Sequence, residues 1–244
     1  MSARDTLFAS GLPIEDFVFD EKVVAVFPDM INRSVPGYST IIAMIGTLSA
    51  EYAQPDSVCY DLGCSLGAAS LSMRHNIQAE GCSIVAVDNS IAMVEGCQEA
   101  LVRDSAIIPV EVRCEDILDT QISQASIVVM NFTLQFVEPG VRDALVKKVY
   151  QGLLPGGMLI LSEKIRFEDP ALNELFIDIY HRFKEQQGYS KLEISRKRAA
   201  LEKVLIPETK AEHVSRLVGA GFQTHEIWFQ CFNFASMVAV KALQ

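Results

Sequence analysis

The stretch VCYDLGCSLGAAS at residues 58–70 constrains this chain more than any other. An apolar run reaches Asp61, glycines follow at Gly63 and Gly67, and helix-forming sequence opens at once. A strand that turns through glycines directly into a helix is the opening unit of a parallel α/β sheet. Glycine lets the backbone pass close to another group with no Cβ in the way. By itself the pattern has two readings. Asp61 either caps a tight strand-to-helix turn or borders a ligand crevice, where its carboxylate can receive an ammonium group.

Four further β-rich runs extend the unit. With Ser57–Leu62 they are Ser83–Asp88, Pro109–Cys114, Ser126–Asn131 and Met158–Ser162, separated by helix-length segments such as SIAMVEGCQEALVRD and VRDALVKKVYQGLLPGG. Most of the runs are continuously apolar, as strands covered on both faces must be. PVEVRC alternates instead, which suits a half-exposed strand near a sheet edge. EIWFQCF and ASMVAV are separated only by Asn233 and Phe234, leaving no room for a crossover helix, so they should pair as an antiparallel hairpin. The expected fold is a single α/β domain: a doubly wound, mostly parallel, seven-stranded sheet with that hairpin at its C-terminal end. Its parts are an N-terminal helical extension at 1–55 containing TIIAMIGTLSAEY, a sheet core at 56–164, a helical insertion at 165–212 and a hairpin region at 213–244. The two helical additions are expected to cover the crevice.

Composition narrows the partners. Half of the 244 residues are apolar, which excludes a disordered chain, and 21 Lys and Arg face 31 Asp and Glu for a net charge of −10. That balance disfavours direct binding to nucleic acid or to an anionic membrane. No segment has the roughly 18 apolar residues of a membrane span and the N-terminus shows no signal-peptide pattern, so a cytoplasmic location is expected. Six cysteines form no CxxC pair and four histidines are scattered, so buried reduced thiols are expected, with neither a metal site nor a disulfide framework.

The strand ends carry the candidate site. Asp88 closes the second run 21 residues beyond Gly67, where a carboxylate accepts ribose hydroxyls. Asp116, just past the third run, either holds an adenine amino group with help from the Ile117 amide or caps its own loop. Asn131 closes the fourth run and faces the same crevice. Polar residues at the ends of four successive strands suit a nucleoside better than any one of them does. Cys64 sits in the glycine loop with no histidine nearby in sequence to activate it, so backbone contact is expected there. If LEISRKRAALEKVL is helical, Ile194, Arg198, Leu201 and Leu205 share one apolar stripe. An inward arginine needs a carboxylate from ligand or protein; otherwise Arg198 reaches solvent or pairs with Glu202. Arg33, in RSVPGYS, is either a second anion holder or a surface arginine.

The glycine loop reads D-x-G-x-x-x-G, not the G-x-G-x-x-G of dinucleotide binders. With LLPGGMLILSE at residues 153–163 and the C-terminal hairpin, it resembles the class I S-adenosylmethionine-dependent methyltransferases, although Ser65 stands where many of them have glycine. RDTLFAS, FDEKVVAVFPDMINRSVPGYS, NFTLQFVEP, LEISRKRAALEKVL and WFQCFNFAS extend the likeness over nearly the whole chain to the carboxy-S-adenosyl-L-methionine synthase family. That resemblance implies S-adenosyl-L-methionine and prephenate as substrates, and carboxy-S-adenosyl-L-methionine and phenylpyruvate as products. It also implies a homodimer and a functional link to a separate carboxymethyltransferase that modifies the tRNA wobble uridine. Tyr38, Gly63, Cys64, Ser65, Asp88, Asn89, Asp116, Ile117, Asn131 and Arg198 fall on the family's ligand-binding positions. Arg198, with help from the Tyr38 hydroxyl, would hold the extra carboxylate, in its own or a neighbouring subunit, and hydroxide leaving prephenate makes a protein base unnecessary. Two other functions share the sheet motifs: a methyltransferase acting on a small molecule, and a non-catalytic S-adenosylmethionine-binding regulatory subunit.

Overall fold

The computed structural model describes residues 3–9 and 18–243. Seven strands, β1 Val58–Leu62, β2 Ser83–Asp88, β3 Val110–Cys114, β4 Ala125–Asn131, β5 Leu153–Lys164, β6 Thr224–Cys231 and β7 Phe234–Val240, form one sheet. Its order is β3-β2-β1-β4-β5-β7-β6, parallel through β5 and antiparallel at β5–β7 and β7–β6. The chain winds outward from β1 to β3 and then returns to β4 on the other side of β1. The strand order therefore reverses between β1 and β4, and a crevice opens beyond their carboxyl ends.

Eight helices are described: α1 Glu21–Ser34, α2 Tyr38–Tyr52, α3 Ala68–Asn76, α4 Ile91–Arg103, α5 Pro139–Gly152, α6 Pro170–Gln186, α7 Lys191–Leu201 and α8 Lys210–Ala220. Side-chain alternation along the strands divides the core. Tyr60, Leu62, Val128 and Met130 pack with Leu145 and Val149 of α5 and Leu217 of α8. Cys59, Ile84, Ile127 and Val129 point the other way, onto Ile41 and Ile45 of α2 and Met73 of α3. Each such fully buried aliphatic contributes about 2 kcal/mol of transfer free energy. β3 lies at the sheet edge and is only partly buried, as the alternation in PVEVRC implies.

Several boundaries differ from the sequence reading. β5 starts at Leu153, because Ala125 pairs with Leu153 and the Gly156 and Gly157 backbone exchanges hydrogen bonds with Lys241. The hairpin turn is Phe232-Asn233, with Phe234 already in β7. Arg33 belongs to α1, not to a loop; Asp20 caps that helix, and its buried Val23, Val26, Phe27 and Met30 carry it through Pro28. Helix α7 stops at Leu201, which leaves Leu205 outside it. Four cysteines are buried, but Cys114 is exposed and Cys231 half-buried. Among the described residues, no helix is long and apolar enough to cross a membrane, and no group of three or more His, Cys, Asp or Glu could hold a metal ion.

Candidate active site

A cavity of about 550 Å³ lies over the carboxyl ends of the central strands, and α1, α2, α6 and α7 wall it in. Tyr38, Asp61, Gly63, Cys64, Ser65, Asp88, Asn89, Asp116, Ile117, Asn131 and Arg198 all line it. The glycine loop is tied to β2: the Gly63 and Cys64 amides donate to the Val87 carbonyl at 2.8 and 2.9 Å, and the Ser65 amide donates to Asp88 Oδ2 at 2.9 Å. Gly63 has φ +82° and lies so close to Thr133 that a Cβ would overlap its side chain. Gly63→Ala is therefore expected to lower stability by about 2 kcal/mol and to weaken nucleoside binding, read by thermal unfolding and calorimetry. Ser65 also has positive φ, +48°, which costs a serine roughly 1 kcal/mol and explains why glycine suits this position.

Asp61 both fastens the strand-to-helix turn and borders the crevice. Its Oδ2 accepts from the Ser70 amide at 2.9 Å and the Ser70 hydroxyl at 2.6 Å, fastening the first turn of α3, while the residue also lines the cavity. Burial pushes its pKa up to about 6 against the lowering effect of those hydrogen bonds, with Asp88 nearby adding to the rise. The two Asp88 oxygens accept the Ser65 and Ser90 amides; burial raises its pKa, opposed by these bonds. Asp116 caps its loop through the Leu118 amide at 2.8 Å and also faces the cavity. Asn131 Oδ1 is buried and has no hydrogen-bond partner among the described residues. A buried amide oxygen left unpaired is costly, so this atom fits a donor brought by a nucleoside ligand.

The basic residues are arranged differently from the stripe argument. Along α7 the buried positions are Ile194, Lys197 and Ala200, so the inward cation is Lys197. It donates to Ser34 Oγ at 2.9 Å and lies 3.6 Å from Asp5 Oδ2, protein partners that meet its charge. Arg198 is exposed on the next helix position, yet it lines the cavity. Its guanidinium makes no hydrogen bond or ion pair among the described residues, Glu202 included. Arg33 is committed elsewhere: it pairs with Asp29 at 2.7 Å, donates to the Asp5 carbonyl and stacks 4.0 Å over Tyr189. It is a structural cation and not an anion holder of this site. The Cys64 thiol, hydrogen-bonded to Cys97 and buried, is pushed well above its ordinary pKa, so it is no nucleophile.

Among the cavity residues that the sequence did not assign to the site are Lys164 at the end of β5, and Tyr180, His181 and Lys184 on α6. The available signal was the i, i+4 spacing of Tyr180 and Lys184 on a helix otherwise read as a charged cover. Burial, aided by Lys197, Lys164 and Arg198, lowers the Lys184 pKa to about 7. Burial and Arg198 lower that of Lys164 to about 8. The crevice thus joins a nucleoside-like half of carboxylates and backbone amides to a cationic half built from β5, α6 and α7.

Comparison with known proteins identifies the fold and the family. A methyltransferase-domain family model matches residues 59–157. A putative S-adenosyl-L-methionine-dependent methyltransferase of Methanococcus maripaludis shares the fold at TM-score 0.61 and 18% identity, over 96% of this chain and 99% of that one. Carboxy-S-adenosyl-L-methionine synthase of Trichlorobacter lovleyi is 59% identical over 239 residues, covering 97% of this chain and 98% of that protein. The synthases of Geobacter sp. strain M21 and Yersinia enterocolitica are 60% and 57% identical, over 97% and 98% of this chain and 98% and 90% of their own length. With polar strand ends lining one cavity and with identity of this order along nearly its full length, the chain belongs to the carboxy-S-adenosyl-L-methionine synthase family of enzymes.

Proposed function

We propose that this enzyme converts S-adenosyl-L-methionine and prephenate into carboxy-S-adenosyl-L-methionine, phenylpyruvate and water. In that reaction the bonds from the prephenate ring to its carboxylate and to its hydroxyl break and the ring becomes aromatic. The hydroxide takes a proton from the sulfonium methyl group, and the carbon dioxide adds to the carbon left behind. One carboxylate leaves prephenate and one appears on the nucleoside product, so the site must hold an anion beside the sulfonium throughout. The observation that carries the reading is the pairing, in one cavity, of polar strand ends with cations that have no carboxylate of their own: Lys164, Lys184 and Arg198.

The residue roles follow from position. Asp88 accepts the ribose hydroxyls, Asp116 and the Ile117 amide take the adenine edge, and Asp61 and Asn131 receive donors at the amino-acid end, while Gly63, Cys64, Ser65 and Asn89 line the nucleoside with backbone. Arg198 meets the product carboxylate, as a charge-assisted pair whose planar donors suit a carboxylate. Tyr38, whose pKa burial and Asp61 raise, stays a neutral hydroxyl donor to the same group. Family membership and the resemblance support a homodimer, with Arg198 acting in its own or a neighbouring cavity, and delivery of the product to a tRNA wobble-uridine carboxymethyltransferase. The −10 net charge accords with an enzyme that does not itself hold the tRNA.

The test is mass spectrometry on the purified enzyme incubated with S-adenosyl-L-methionine, with and without prephenate. Carboxylated nucleoside and phenylpyruvate are expected in equal amounts, and only with prephenate present. Unchanged S-adenosyl-L-methionine in both samples, or S-adenosylhomocysteine formed with some acceptor, would overturn the reaction.

A further inference from the structure

Prephenate carries two carboxylates, and the proposed chemistry uses one. The other, at the α-keto acid end, is unchanged in phenylpyruvate and needs its own counter-charge inside the same enclosed space. Arg198 is assigned to the carboxylate that moves. Lys164 and Lys184 remain.

Their geometry is that of a prepared anion site. Lys184 is 5% exposed, and among the described residues neither lysine makes a hydrogen bond or ion pair through its ammonium group. Both stand against one aromatic ring: Lys184 Nζ lies 4.5 Å and Lys164 Nζ 5.1 Å from the centre of buried Tyr180. The ring face attracts each ammonium weakly, but that attraction falls short of what burial costs. The charged groups that shift the two lysines are also basic, Arg198 and Lys197 on α7 with Lys164 itself acting on Lys184; His181 on α6 has its pKa lowered by burial and by Lys184, Arg198 and Lys164, with Asp178 of α6 opposing that shift. Lys197 differs, because Asp5 and Ser34 meet it. A fold that spends a carboxylate on Lys197 but none on Lys164 or Lys184 leaves those two for an anion from outside.

We infer that Lys164 and Lys184, stacked on Tyr180, form a second carboxylate subsite, distinct from Arg198, that holds the α-keto acid end of the second substrate and of its aromatic product. The inference rests on the prephenate reaction proposed above. Burial, with Arg198 adding to it at Lys164 and Lys197, Lys164 and Arg198 adding to it at Lys184, brings the pKa of Lys164 to about 8 and that of Lys184 to about 7 in the free site, and an anion selects their protonated forms. Binding of the keto acid must therefore take up protons above neutral pH, up to one for each lysine, and its affinity should fall by up to about 50-fold between pH 8 and 9.

The experiment compares wild type with K184M and K164M, each removing a charge at little change in volume. The KM for prephenate should rise about tenfold or more in each variant with a smaller change in kcat, as expected for a lost charge-assisted contact. The Kd for phenylpyruvate, titrated by calorimetry, should weaken in parallel. The Kd for carboxy-S-adenosyl-L-methionine should stay within about twofold, and K184R should recover most of the prephenate affinity. K184M should unfold at no lower temperature than wild type, because an unpaired buried ammonium has been removed. A prephenate KM and a phenylpyruvate Kd unchanged in both variants would overturn the subsite while leaving the reaction intact, as would a flat affinity between pH 7 and 9. If wild type consumes no prephenate the reaction reading fails, and the phenylpyruvate titration then decides the subsite alone: equal affinity in wild type and K184M overturns it.

Discussion

Arg198→Ala is expected to weaken binding of carboxy-S-adenosyl-L-methionine about 30- to 100-fold while changing that of S-adenosyl-L-methionine by less than about threefold. The two ligands differ by one carboxylate, and a charge-assisted hydrogen bond to such a group is worth roughly 2–3 kcal/mol. Arg198 lines the cavity with its guanidinium unpaired, so its removal takes away a ligand contact without orphaning a buried protein charge. Its exposure also means that the variant should fold normally. Arg198→Lys should recover only part of the affinity, since an ammonium cannot supply two parallel donors. Calorimetric titration with both nucleosides checks this, and equal losses for the two would remove Arg198 from the carboxylate.

Asp88→Ala should abolish both nucleosides together, with at least a 100-fold loss for each. The carboxylate has two tasks. In the proposed binding mode it receives the ribose hydroxyls from the end of β2, and in the structure it accepts the amides of Ser65 and Ser90 at 2.9 and 3.0 Å. Each carboxylate oxygen has room for a second donor, so the two tasks are compatible. Without it the glycine loop loses a tie to β2, and two part-buried amides lose their acceptor at a cost of about 1–3 kcal/mol each. Asp88→Asn keeps one acceptor oxygen and is expected to retain more stability than affinity. Thermal unfolding beside calorimetry separates the two. Unaltered S-adenosyl-L-methionine affinity in Asp88→Ala would show that the ribose lies elsewhere.

The strands and the nucleoside half were legible because their signals are local. A buried parallel strand must be apolar throughout, so SIVAVD and SIVVMN announce β2 and β4 within a residue or two. A crevice at the carboxyl ends of such strands then locates Asp61, Asp88 and Asn131 by their place in each run. Helix α1 was less visible, since Pro28 interrupts its pattern and packing of Val23, Phe27 and Met30 beside Met93 carries the helix through. The α7 stripe was misplaced by one residue. Ile194 and Ala200 do face inward, but whether position 197 or 198 joins them depends on Asp5, which is 192 residues away from Lys197 in sequence and 3.6 Å away in space.

The amino-acid sequence by itself determined the sheet, the glycine loop and which strand ends carry polar groups, because period, turn residues and run length are properties of neighbours in the chain. Tertiary structure alone decided how the cations are shared. Lys197 and Arg33 are neutralised by Asp5 and Asp29, whereas Lys164, Lys184 and Arg198 converge unpaired on one cavity from β5, α6 and α7. Charge acts through space, so a residue's electrostatic role depends on the partners that the fold brings to it and not on those beside it in sequence.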